Sequence, residues 1–299
     1  MCSKAKTRLP QNEQGLGEKN VQLSINDNTF YVKQEGNGPT LLLLHGFTGS
    51  IDNWAPFVSS FAEERQVVAV DLLGHGQSAA PTNPLRYRMD WCVRDLLALL
   101  DQLNLDQIDV LGYSMGGRVA LQLAATAPSR VCSLMLESAS PGLASAAARE
   151  ERRAADNTLA DKIEHEGLAA FVEYWEQLPL FASQSRLPDG VRAEQRKQRL
   201  QNNRQGLANS LRGMGTGQQA SLWDKLDQMA TPTLLMVGAL DTKFCGIASE
   251  MATHMPNAQV ITVQDAGHTI HLEQPDTFIK IVQGFLQELH KTKETLYLD

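Results

Sequence analysis

The four cysteines in 299 residues, Cys2, Cys92, Cys132 and Cys245, share no C-x-x-C spacing. That argues against a disulfide frame or a zinc site and suits a reducing compartment. No apolar run approaches the roughly 20 residues that span a bilayer, so no membrane partner is expected. The opening MCSKAKTRLPQNEQGLGEKN lacks the apolar stretch of a secretory signal, and Cys2 stands where myristoylation needs glycine. Lys4, Lys6 and Arg8 leave an organelle-targeting reading, but the composition favours a disordered tail over residues 1–20. A net charge of −7 without a basic stripe interleaved with aromatics argues against nucleic acid. There is no glycine-rich phosphate loop, and no carboxylate–histidine grouping has metal-ligand spacing. A cytoplasmic soluble protein of ordinary globular composition is the expectation, with 42% hydrophobic and 20% charged residues.

What is present is a rhythm. Residues 21–34 alternate polar and apolar around Asn26-Asp27-Asn28, which reads as a hairpin. Short apolar runs then recur at residues 40–46, 67–76, 108–114, 131–138, 233–241 and 258–268, with helical stretches such as 90–103 and 114–125 between them. Continuous apolar runs mean strands buried on both faces, and strands alternating with helices predict a doubly wound, mostly parallel α/β sheet. The rhythm breaks over residues 143–222, which form helix but contain no strand-like run, so a helical insertion is expected there. The core is then 21–142 plus 223–299. The insertion carries 11 basic and 10 acidic residues against an acidic body, and 186–212 alone has seven basic and two acidic.

Gly112-Tyr113-Ser114-Met115-Gly116 fits G-x-S-x-G between a strand and a helix. A serine there could merely cap the helix. Its placement inside a parallel-sheet pattern favours a nucleophile turn instead, whose glycines allow close packing of strand on helix. A serine needs a base, and the base an orienting acid, in the order Ser, Asp/Glu, His for this fold. Asp241 and His268 each follow a strand and lie at the same sheet edge as Ser114. Glu137 is a weaker candidate acid, and His271 a weaker candidate base better suited to a surface or substrate-facing place. Asp71 suits a brace for the turn that follows it, as do His45 and His75 for their loops. LHGF at residues 44–47 fits the oxyanion position, with the N–H groups of Phe47 and Met115 as donors.

With these residues in place the chain resembles the α/β-hydrolase superfamily. GYSMGGR, ESASPGL, EERRAAD, FVEYWEQLPLF, RLQNNRQGLANSLRGMGTG, LDTKF and GHTIHLEQP are similar to the 2-succinyl-6-hydroxy-2,4-cyclohexadiene-1-carboxylate synthases of menaquinone biosynthesis. The resemblance runs from residue 41 to about 289 and includes the insertion. It implies an α/β-hydrolase fold with a helical cap, and a lyase that eliminates pyruvate from a small tricarboxylate without cofactor or metal. It implies Ser114, Asp241 and His268 as catalytic residues and Tyr113, Arg118, Arg152, Trp175 and Arg199 as substrate-binding. Arg149 and Arg153 are close enough to replace Arg152 in a shifted alignment. Arginine suits carboxylates because its planar fork makes two charge-assisted bonds. The alternative is a serine esterase or C–C bond hydrolase of the same fold, and a shell retained only for binding is the third reading.

Overall fold

The structure, a computed structural model, describes residues 19–296. Of the tail expected over 1–20, residues 1–18 lie outside that span. Lys19 and Asn20 instead open β1 (Lys19–Ile25) and pair with Gln34 and Lys33 of β2 (Asn28–Glu35). Asn26 and Asp27 join these strands with φ of 46° and 63°, the left-handed turn that matches strand twist and that Asn and Asp tolerate.

The chain continues through β3 (Thr40–Leu44), α1 (Ala55–Ala62), β4 (Gln66–Val70), α2 (Met89–Gln102), β5 (Ile108–Tyr113), α3 (Met115–Thr126) and β6 (Val131–Glu137). Four helices follow: α4 (Ala146–Glu166), α5 (Leu168–Glu176), α6 (Asp189–Leu200) and α7 (Arg204–Met214). The sheet then resumes with β7 (Thr233–Gly238), α8 (Thr242–His254), β8 (Ala258–Val263), α9 (Ile270–Glu273) and α10 (Pro275–Leu296). Strand order is β1-β2-β4-β3-β5-β6-β7-β8, parallel from β4 through β8 and antiparallel at the hairpin edge.

Period-two alternation assigns the strand side chains to two cores. Leu42, Leu44, Val68, Val110, Leu134 and Leu235 face one helical layer. Leu41, Leu43, Val67, Leu111, Met135 and Leu234 face the other. Each fully buried aliphatic side chain contributes about 1.5–3 kcal/mol of transfer free energy, which is why these strands carry no polar face.

Three of the inserted helices, α4, α5 and α7, share a core of their own, built from Ala160, Ile163, Phe171, Val172, Leu207, Ala208 and Leu211, with Phe47 of the main body packed against it. Ser145 caps α4 by accepting the Ala148 N–H, and Asn203 caps α7 by accepting that of Gly206. The basic excess over 186–212 is largely answered inside the cap. Arg212 pairs with Asp161 and Glu164 of α4, while Arg196 and Arg199 converge on Glu176 of α5.

His45 and His75 brace their loops. Leu72 N–H donates to His45 Nε2 (3.1 Å), so Nδ1 carries the proton and donates to the Gly46 carbonyl (2.8 Å). Asp71 ties down the same turn by accepting the N–H groups of Ile51 and Gln77, both at 2.7 Å. Burial lowers His45 to about 4. His75 falls to about 3, through burial first and then the neighbouring His45. Asp71 rises to about 6, also by burial. Unfolded histidines take protons near 6.5, so below that pH the unfolded chain binds protons that the folded one refuses. Stability therefore falls between pH 6.5 and 4 by about 1.4 kcal/mol per unit per histidine. Asp71 works in the opposite sense below about 6 and offsets one of the two. Urea unfolding at pH 7.5 and 5 should show wild type losing about 2 kcal/mol more than His75→Gln; equal losses would overturn this account.

Candidate active site

The C-terminal ends of β3, β5, β6, β7 and β8 meet at one edge, and the site grows from the loops that leave them. Ser114 follows β5 and precedes α3 with φ 50° and ψ −105°, a conformation that side chains rarely adopt and that over-determined surroundings must hold. A Cβ on Gly116 would lie 2.1 Å from the Leu44 carbonyl oxygen, and one on Gly112 would lie 2.5 Å from that of Gly116. The motif's glycines are therefore required by close backbone approach.

His268 Nε2 lies 3.0 Å from Ser114 Oγ, and its Nδ1 lies 2.7 Å from Asp241 Oδ2. A carboxylate only accepts, so Nδ1 carries the ring proton and Nε2 is free to accept from the serine hydroxyl. Asp241 also accepts the Phe244 N–H through Oδ1 at 3.2 Å, which fixes the carboxylate at the start of α8. Glu273 accepts the N–H groups of Gly267 and Thr269, on either side of His268, and so holds the histidine's loop. Phe244, Tyr113 and Phe181 surround the imidazole, with ring centroids 4.7, 5.6 and 6.1 Å away. Asp241 and His268 are both buried.

The rival pair is accounted for. Glu137 and His271 bind each other, Nδ1 to Oε2 at 2.8 Å, and the His271 N–H also donates to Glu137 Oε1 at 3.0 Å. Both are buried, so His271 does not occupy the surface place expected for it. The register that sets β6 beside β5 puts Glu137 under the Ser114 amide, whose N–H donates to the Glu137 carbonyl at 2.8 Å.

Ser114 and His268 open into a cavity of about 300 Å³. Phe47 and Met115 line it, and neither of their N–H groups has an acceptor among the described residues. Tyr113, Arg118, Arg152 and Trp175 also reach it. Arg149 and Arg153 do not. Arg149 donates to the carbonyls of Leu143 and Ala144, and Arg153 pairs with Glu150. Arg199 is not brought to this cavity either. It binds Glu176 at 3.0 Å, lies over the Phe181 ring and lines a separate space of about 30 Å³ with Tyr113 and Trp175.

Lys243, in LDTKF beside Asp241, lines the main cavity and carries a charge that the sequence reading did not single out. The signal was its position two residues after the acid. Among the cavity-lining residues Arg118, Arg152 and Lys243 are cationic and none is Asp or Glu. Arg118 is pushed down to about 10, by burial first and then by Arg152, so both effects favour an anion beside it. Among the described residues no group of three His, Cys, Asp or Glu could hold a metal, and no helix is long and apolar enough to cross a membrane.

A family profile described as alpha/beta hydrolase fold matches residues 39–275. The 2-succinyl-6-hydroxy-2,4-cyclohexadiene-1-carboxylate synthase of Salmonella typhimurium is 35% identical over 241 residues, 79% of this chain and 89% of the relative. The chain belongs to that synthase family. A Bacillus subtilis protein with a provisional assignment to the same activity is 45% identical, over 90% of this chain and 99% of its own length. The solved structure of MenH from S. aureus superposes with a TM-score of 0.83 at 36% identity, covering 87% of this chain and 98% of that one. The family match spans the cap helices as well as the sheet, the region where members of this fold differ most in what they bind.

Proposed function

We propose that this chain is a lyase of menaquinone or phylloquinone biosynthesis. It eliminates pyruvate from 2-succinyl-5-enolpyruvyl-6-hydroxy-3-cyclohexene-1-carboxylate to give 2-succinyl-6-hydroxy-2,4-cyclohexadiene-1-carboxylate. The observation that carries this reading is the charge of the cavity: a Ser–His–Asp set opens into a space with three cations and no carboxylate on its walls. The substrate brings three carboxylates to meet these cations, which a neutral ester would leave unanswered, while Phe181, Leu180, Trp223 and Ile247 among the walls suit the substrate's ring.

In the proposed mechanism His268 accepts the Ser114 hydroxyl proton, and the resulting alkoxide removes the ring proton α to the succinyl ketone. The enolate oxygen sits against the N–H groups of Phe47 and Met115, donors aimed where charge develops. The electron pair then moves through the ring alkene and expels enolpyruvate. The substrate proton restores the Ser114 hydroxyl, and the proton held on His268 returns, directly or through water, to the enolpyruvate carbon to give pyruvate. The ketone stabilises the carbanion, so no cofactor is called for and no acyl-enzyme forms. Arg118 and Arg152 are assigned to substrate carboxylates, and Lys243 adds a third charge on the wall. Tyr113 and Trp175 shape the cavity, and Arg199 supports them from behind the Phe181 ring.

A lactate dehydrogenase-coupled assay with the enolpyruvyl substrate tests the reading. Pyruvate should appear stoichiometrically with the cyclohexadiene product. No pyruvate, together with turnover of p-nitrophenyl esters, would establish the acyl-enzyme hydrolase instead.

A further inference from the structure

Arg118 is held entirely by uncharged atoms. Its Nη1 donates to the Met214 carbonyl and to Gln219 Oε1, both at 2.9 Å, and the side chain is 9% exposed. The amide's orientation at Gln219 is dictated by its partner, because an arginine only donates and the oxygen must face it. Gln219 Nε2 is left buried without a partner as a result, against the cavity-lining Gly142. A donor is sacrificed so that an oxygen can meet Arg118.

Asp156, the carboxylate whose field reaches this guanidinium, makes its hydrogen bonds elsewhere. Asp156 Oδ1 accepts from Arg152 Nε at 2.7 Å, and its Oδ2 faces the Gly217 N–H at 3.4 Å. Asp156 therefore spends its hydrogen bonds on Arg152 and Gly217 and makes no direct ion pair with Arg118. Glutamate has the shape of glutamine and would close a buried ion pair at the same distance. A buried charge without a counter-charge is costly unless an anion arrives to meet it.

We propose that Gln219 is a positioning residue for the anionic substrate: its neutral oxygen aims the Arg118 fork into the cavity without cancelling its charge. The inference rests on the reading of the cavity as a carboxylate site, but not on which reaction follows. The substitution that should do most harm is the one that preserves shape. Gln219→Glu supplies an internal carboxylate that competes with the substrate for Arg118. Gln219→Met removes the oxygen and leaves the charge.

Two measurements on the full chain decide the matter. In the pyruvate assay, Gln219→Glu should raise KM on the order of tenfold or more with kcat within about threefold, since uniform binding is what is lost. Gln219→Met should raise KM by only a few-fold, on the order expected for lost orientation alone. Calorimetric binding of benzene-1,3,5-tricarboxylate should rank the proteins in the same order: wild type, Gln219→Met, Gln219→Glu. A merely structural role predicts the reverse, because methionine would disturb the packing more than glutamate. KM and affinity of Gln219→Glu equal to wild type, or no worse than Gln219→Met, would overturn the inference. Failure of Gln219→Glu to fold, or failure of wild type to bind the tricarboxylate better than it does, would also overturn it. If wild type releases no pyruvate yet binds the tricarboxylate and Gln219→Glu does not, the reaction assignment falls and the role of Gln219 stands.

Discussion

Ser114→Ala should lower kcat for pyruvate release by roughly 10²–10⁴-fold, the usual contribution of a positioned base, with KM little changed. The hydroxyl is the group that His268 Nε2 can reach at 3.0 Å, and it stands where the strained turn projects into the cavity. Removing it leaves the cations and the two unengaged N–H groups in place, so the ground state should still bind. The same substitution separates the two chemistries. A hydrolase would lose an attacking nucleophile, and quenched wild-type turnovers would carry an adduct on Ser114 detectable by mass spectrometry. A serine that acts only on protons leaves intact protein of unmodified mass. Wild-type kcat in Ser114→Ala would remove the serine from the mechanism altogether.

Arg118→Ala should act on the other parameter. Losing one partner of a desolvated charged pair costs about 2–5 kcal/mol of binding, roughly 30-fold to several-thousand-fold in kcat/KM. Most of it should fall on KM. The change also strips a donor from the Met214 carbonyl and from Gln219 Oε1. Such orphaned buried acceptors cost about 1–3 kcal/mol each, so a melting curve must accompany the kinetics. Arg118→Lys keeps the charge but loses the two-pronged geometry and should fall between the two. A KM in Arg118→Ala equal to wild type would show that no carboxylate docks there.

The parallel sheet explains why so much of this site could be read in advance. Residues that close consecutive parallel strands are delivered to one edge, so Ser114, Asp241 and His268 were recognisable from strand ends and chain order alone. Arg118 followed because a helix places it one turn behind the serine, where its N–H donates to the Ser114 carbonyl at 3.0 Å. What stayed hidden depends on tertiary register: chain order does not show that Glu137 at the end of β6 and His271 on α9, the weaker candidates, bind each other. The place of Arg199, in a small space that shares Phe47, Tyr113, Trp175 and Phe181 with the main cavity, was hidden for a similar reason. The face that α6 presents is set by how the cap helices pack on each other, and Glu176 of α5 captured the side chain. Lys243 and Gln219 carry no periodic signal, being polar residues just inside or just after helix ends.

The packing of Phe47 has a consequence for evolution and redesign. Its backbone is a candidate oxyanion donor, while its ring packs between the main-body core and the cap's core and meets Trp175 at 5.3 Å and Phe171 at 6.2 Å. The cap is therefore not an exchangeable cover. Grafting another cap onto this sheet to change substrate preference would unseat Phe47 and slow turnover for every substrate, including those the new cap was chosen to admit. Selectivity and catalytic power are coupled through one residue, and variants that adjust the cap's walls while sparing the Phe47–Phe171–Trp175 contact are the ones that can separate them.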